Sequence, residues 1–192
     1  MKRNINWTLI LISLSLVLSL VSLIGLTFVY EDYEQAANIL LIVTFSFIAL
    51  ALISGLLTIV LSIIGIFKGE RSPIRCSIFT MVVALIFNIF HGIINLLFIF
   101  GAFMLGPFLG PLVALSGIYL FLSYGFMGFI NFSIICPNLS YILNKIKKNE
   151  WEIDLGLIVI FILHFVPFLN IFAAIFLLKR DKEPIIETIN FQ

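Results

Sequence analysis

The chain has 192 residues, 62% of them hydrophobic and 11% charged, with a mean hydropathy of +1.22. A water-soluble domain carries roughly a quarter charged residues, so composition excludes a soluble fold. The formal net charge of +1 supplies no basic field for nucleic acid. Two cysteines, Cys76 and Cys136, are too few for a disulfide framework. They read as ordinary small apolar residues, with juxtamembrane acylation the sharper alternative.

Segment one runs from Trp7 to Tyr30 behind Lys2 and Arg3. It is longer than the apolar core of a signal peptide, and no cleavage site is followed by a polar mature chain. The reading is a retained transmembrane helix with interfacial aromatics at both ends. After the acidic link Glu31–Gln35, segment two runs from Ala36 to Phe67. Thr44, Ala51, Gly55, Thr58, Ser62 and Gly65 recur on one helical stripe. Small residues let helix backbones approach closely in lipid. Gly55, Thr58, Ser62 and Gly65 are therefore expected at a helix contact, within the chain in preference to a homo-oligomer interface.

A basic link carries Lys68, Arg71 and Arg75. Segments three and four form an apolar hairpin. The stretch from Ile74 to Cys136 has Arg75 near its start and no other Asp, Glu, Lys or Arg. The two segments are joined by the uncharged link Gly106–Pro111. Segment four is expected to stop at Pro137, with Gly117, Tyr124, Gly128 and Asn131 on its packed side. Beyond it, Leu139, Ile142, Leu143 and Ile146 take helical spacing opposite Asn144, Lys145, Lys147 and Lys148. This reads as a short cytoplasmic amphipathic helix. Lys145, Lys147, Lys148 and Trp151 would contact lipid headgroups.

Segment five runs from Leu155 to Leu178, and a polar tail covers residues 179–192. Short basic links stay cytoplasmic. With the N-terminus inside, the Lys2, Lys68 and Lys145 clusters all fall on that side. A full fifth crossing would put Lys179, Arg180 and Lys182 outside, against that rule. A re-entrant hairpin broken at Pro167 would remove the conflict, each half rising about 15 Å, half the hydrocarbon thickness. The plain fifth span is preferred, because proline is common in spanning helices. The expected fold is thus all-α: a polytopic transmembrane bundle of five apolar segments in one domain, residues 1–192. The expected location is the cell membrane.

Few polar residues lie within the segments. Asn88, His91, Asn95, Tyr124, Asn131, His164 and Asn170 form the candidate polar core, since such groups turn toward protein or water. His91 and His164 are expected at one depth, near the bilayer centre. The plain reading of this set is interhelical hydrogen bonding. Bis-histidine haem ligation, and a solute or proton path lined by Asn88, His91, Asn95, Ser123, Tyr124, Asn131 and His164, are the sharper ones. No phosphate loop, nucleophile elbow or zinc-protease motif is present, and no metal or cofactor site is proposed. The sequons at Asn6, Asn131 and Asn138 fall within the membrane or on its cytoplasmic side. By elimination, the expected role is a non-catalytic interaction or accessory subunit. Its partners would be the bilayer, other membrane proteins or a second copy. The alternative is a small transporter or channel subunit with a polar path near Asn88, His91, Asn95 and His164.

Overall fold

The computed structural model describes residues 2–27, 34–68, 74–105, 110–166 and 168–181. They form α1 (Lys2–Thr27), α2 (Glu34–Lys68), α3 (Ile74–Leu105), α4 (Gly110–Lys147), α5 (Leu155–Leu163) and α6 (Leu169–Arg180). Four of these, α1 to α4, are long and apolar enough to cross a membrane. The link Glu31–Tyr33, the centre of the basic link, residues 106–109, Pro167 and residues 182–192 lie outside the described residues.

Long apolar helices follow from composition, because in lipid every backbone group must be satisfied within the segment. Lipid does not drive helices together as water does, so packing and hydrogen bonds decide the arrangement. α1 and α4 each pack on both α2 and α3, giving the ring α1–α2–α4–α3. Its core holds Leu9, Ile12 and Leu16 of α1, Ala51 of α2, Met81, Ala84 and Phe87 of α3, and Ile130 and Ile134 of α4.

Hydroxyl and amide side chains stitch the helices together. Thr58 Oγ1 donates to Thr8 Oγ1 at 2.8 Å and Thr44 Oγ1 to Ser22 Oγ at 2.9 Å, which fixes α2 antiparallel to α1. Ser13 Oγ donates to Thr80 Oγ1 at 3.0 Å between α1 and α3. Ser140 Oγ donates to the Ser62 carbonyl at 2.9 Å, and Asn144 Nδ2 to the Gly65 carbonyl at 3.1 Å, between α4 and α2. At Gly55 an added Cβ would lie 2.9 Å from Phe129 Cε1 and from Ser133 Oγ. The small-residue stripe of α2 is therefore consumed inside the bundle, as intramolecular contact.

Three expectations are corrected. Helix four does not stop at Pro137, which lies inside α4. Ser77 Oγ of α3 donates at 2.9 Å to the Ile134 carbonyl, next to the Ser133 carbonyl that Pro137 leaves without its helical N–H. The separate amphipathic helix is likewise absent. Residues 139–147 complete α4, with Ser140, Tyr141, Ile142 and Asn144 buried and Leu143 exposed. Burial here follows contact with α2 and α6, not the polar and apolar sides of the helix. α4 ends where Asn149, at φ 54°, allows Glu150 N–H to reach the Lys145 carbonyl and Asn149 N–H the Ile146 carbonyl. That is a Schellman cap.

The third correction concerns segment five, which is not one straight helix. α5 and α6 fold back on each other. Asp154, the N-cap of α5, accepts from Leu157 N–H at 2.7 Å. The same carboxylate holds Arg180, at the end of α6, through two 2.9 Å bonds. The first and last turns of the segment therefore sit side by side. The hairpin packs through Leu157, Ile160, Ala173 and Leu177 on Ile74 of α3 and on Tyr141 and Ile142 of α4. Lys179 and Arg180, assigned to the tail from sequence, belong to α6.

Candidate functional site

The predicted polar residues do not form one cluster. All but Tyr124 lie in three rungs along α4, two of them bonded to α3 and one to the end of α5. In the first, His91 Nε2 is 2.6 Å from Ser123 Oγ, which also accepts from Asn95 Nδ2 at 2.9 Å. Asn95 is fully buried, and its Oδ1 has no partner among the described residues. In the second, Asn88 Nδ2 donates to Asn131 Oδ1 at 3.3 Å. Asn170 of α6 joins these two around a small cavity that Leu85 and Phe168 complete.

The third rung is His164, fully buried at the end of α5. Its Nδ1 lies 2.7 Å from the Ile160 carbonyl. A carbonyl only accepts, so Nδ1 carries the proton and Nε2 the lone pair. Nε2 then accepts from Asn138 Nδ2 at 3.4 Å.

This geometry corrects the expected histidine pair. His91 contacts Ser123 and His164 contacts Asn138, positions separated by about 22 Å of helical rise along α4. The two imidazoles do not share a depth and cannot ligate one iron. Between the rungs lie the buried apolar side chains of Met127, Ile130 and Ile134. Among the described residues, no cluster of three His, Cys, Asp or Glu side chains could hold a metal ion. Ser123 and His91 stand at the distance of a nucleophile and its base. The imidazole, however, is stacked on Phe87 at a centroid distance of 5.6 Å. On its other contact the ring meets Tyr119, at a centroid distance of 6.5 Å.

Other predicted positions move as well. Tyr124 is exposed, outside the polar seam. Gly117 and Gly128, expected at a packed face, have nothing within 4 Å of an added Cβ. Lys145 and Trp151, expected to meet headgroups, turn inward at the base of the hairpin. Lys145 Nζ pairs with Glu150 at 2.5 Å and Asp181 at 3.2 Å. It lies 5.6 Å from the Tyr141 ring centroid and 5.7 Å from that of Trp151. The Arg180 guanidinium covers Trp151 at 5.3 Å, and Tyr141 Oη donates to Asp181. Of the four, only Lys147 and Lys148 remain exposed.

Sequence reasoning placed Ser123 on a possible solute path and not at the hub of the first rung, and it missed Asn138 as the partner of His164 and the Asp154–Arg180 clamp. The conflict between basic residues and a fifth crossing was the available signal for the clamp. Ser123→Ala removes the hydroxyl that both His91 and Asn95 bond. Asn95 is then stranded in a buried site, and a stranded buried polar group costs about 1–3 kcal/mol. Unfolding in mixed detergent micelles should register that loss. Thr58→Val, which deletes one interhelical bond at nearly constant volume, should cost about 0.6 kcal/mol by comparison. The chain matches no protein-family model, no curated protein and no solved structure. What the fold and site define is a class: an all-helical bundle with four potential membrane spans and a helical hairpin docked at one end.

Proposed function

We propose that this is a multi-pass protein of the cell membrane acting as a non-catalytic interaction or accessory subunit. The N-terminus and the hairpin base would lie in the cytoplasm, and α5–α6 would enter the bilayer part way from that side. The Asp154–Arg180 contact supports this threading. It returns Lys179 and Arg180 to the side of Lys145, Lys147 and Lys148, as the positive-inside rule prefers. α5 and α6, of 9 and 12 residues, rise about 14 and 18 Å, each roughly half the hydrocarbon thickness.

One observation carries the interaction reading. Beyond Phe87 and Met127, the far halves of α3 and α4 leave a broad apolar surface uncovered, with Leu96, Leu97, Phe100, Phe121 and Leu122 exposed. On this arm Gly92, Gly101, Gly117, Gly125 and Gly128 have nothing within 4 Å of an added Cβ among the described residues. A glycine inside a helix costs about 1 kcal/mol relative to alanine and gains nothing from facing acyl chains. Facing another helix, it permits close backbone approach. The proposed partner is accordingly a transmembrane helix of another protein or of a second copy. The buried apolar side chains between the three rungs favour polar residues as interhelical glue over a continuous path.

A photo-crosslinking residue at Phe121, between these glycines, should capture a protein in native membranes. The same residue at Ile53, exposed on α2, should capture lipid alone. Gly117→Leu with Gly128→Leu should abolish the Phe121 adduct without unfolding the protein. Equal protein capture at both positions, or an adduct indifferent to the leucines, would refute the reading.

A further inference from the structure

The tip of the α5–α6 hairpin closes a cavity of about 60 Å³ lined by Leu85, Asn88, Asn131, Phe168 and Asn170. One water needs on the order of 10–15 Å³ of such space, so there is room for a few waters or one small molecule. Asn170 is 8% exposed, and its carboxamide makes no hydrogen bond to another described residue. Asn88 and Asn131 spend one bond on each other, which leaves a carbonyl oxygen on the first and N–H groups on the second. An amide left unpaired in an apolar setting costs about 2–7 kcal/mol. Asn88 and Asn131 are half-buried, and the three carboxamides together leave donors and acceptors that an occupant can satisfy. Phe168 at the rim is held at φ 68°, left-handed backbone that a non-glycine residue adopts at a cost of about 1–3 kcal/mol.

The chemistry of the occupant follows from the lining. Whichever way each amide is turned, the set offers both donors and acceptors, and no lining side chain carries a charge. An ion would meet no countercharge at a depth where bare charge is penalised heavily. A small neutral molecule that both donates and accepts would satisfy every group. We propose that the hairpin tip is a binding site for a small uncharged hydrogen-bonding solute, held by Asn88, Asn131 and Asn170. Occupancy requires neither a partner helix nor flux across the membrane. Its test is therefore separate from crosslinking at Phe121.

The test uses the full chain, with Cys76 and Cys136 replaced by alanine, in phosphatidylcholine vesicles. Leu85→Cys places a thiol on the cavity and leaves all three amides in place. Phe172→Cys is the lipid-facing reference and Lys179→Cys the water-exposed one. The probes are iodoacetamide, itself a small neutral amide, and its anionic counterpart iodoacetate. Alkylation needs a thiolate, which forms in a polar site and not among acyl chains. At Leu85→Cys, iodoacetamide should react about tenfold faster than at Phe172→Cys. The ratio of iodoacetamide to iodoacetate rates there should exceed that at Lys179→Cys by about tenfold, because the site excludes charge. Adding Asn170→Leu should lower the Leu85→Cys rate to that of Phe172→Cys while Lys179→Cys stays unchanged. Asn170→Cys offers a second reporter should Leu85→Cys fold poorly. A cavity thiol as inert as Phe172→Cys at both reporters, a ratio equal to that at Lys179→Cys, or indifference to Asn170→Leu would overturn the proposal.

Discussion

Gly55→Leu is expected to lower stability by about 3 kcal/mol, the upper end for overpacking a closed contact. The first added atom already lies 2.9 Å from Phe129 Cε1 and Ser133 Oγ. Both are side-chain atoms, so Gly55→Ala can be absorbed by small rotations and should cost about 1 kcal/mol. Leucine needs α2 and α4 to separate. That movement would also stretch the Ser140–Ser62 and Asn144–Gly65 bonds farther along the same seam. Gly128→Leu supplies the control. Among the described residues nothing stands within 4 Å of its Cβ, so the same change there should not lower stability in mixed micelles and should raise it by up to about 1 kcal/mol as a helical glycine is removed. Equal losses at the two glycines would mean that α4 is rotated from the orientation described.

Charge reversal at the hairpin base should have the second large effect. Asp154 sits at the N-terminal end of α5 and Arg180 at the C-terminal end of α6, so each also complements its helix dipole. Asp154 is open to solvent while Arg180 is partly buried, and solvent screening of the carboxylate holds the pair's own worth to about 1 kcal/mol or less. Arg180→Asp loses that and places two carboxylates together, for a total of about 1–2 kcal/mol. The readout is the hairpin itself. A fluorescent reporter after Gln192 should report a cytoplasmic tail in the unaltered chain and a mixed population in Arg180→Asp. The swap Asp154→Arg with Arg180→Asp should restore the pair in part, with the dipole terms now reversed. An extracytoplasmic reporter in the unaltered chain would eliminate the re-entrant reading.

The pH dependence of the clamp follows from the same contact. The Arg180 hydrogen bonds, and then the Leu157 N–H, hold the Asp154 carboxyl below its ordinary value. A lowered carboxyl contributes its full share of stability above that ordinary value. It loses the share as pH falls through the lowered one. Hairpin docking should therefore be flat across neutral pH and weaken only in strong acid. Arg180→Gln should shrink the acid-dependent component to the share that the Leu157 N–H supplies.

The sequence alone determined that this chain is a bundle of long apolar helices, because composition leaves lipid as the only compatible solvent. The α2 stripe through Gly55, Thr58, Ser62 and Gly65 was legible as a helix contact, since small residues permit close backbone approach, but whether α4 or a second copy meets it was decided only by the packing of Phe129 and Ser133 on Gly55. Helix rotation was not determined. In lipid both faces of a span are apolar, so no contrast between a greasy side and a polar side marks which one turns inward. α4 carries two plausible stripes, and the one through Gly117, Tyr124 and Gly128 turned outward while Ser123, Ser133 and Ser140 turned in. Nor could depth along separate helices assign partners: counting residues along each segment puts His91 and His164 level, yet contacts to Ser123 and Asn138 set them two rungs apart. The return of segment five was decided only in three dimensions. It rests on Asp154 and Arg180, far apart in the chain, meeting where two half-length helices end.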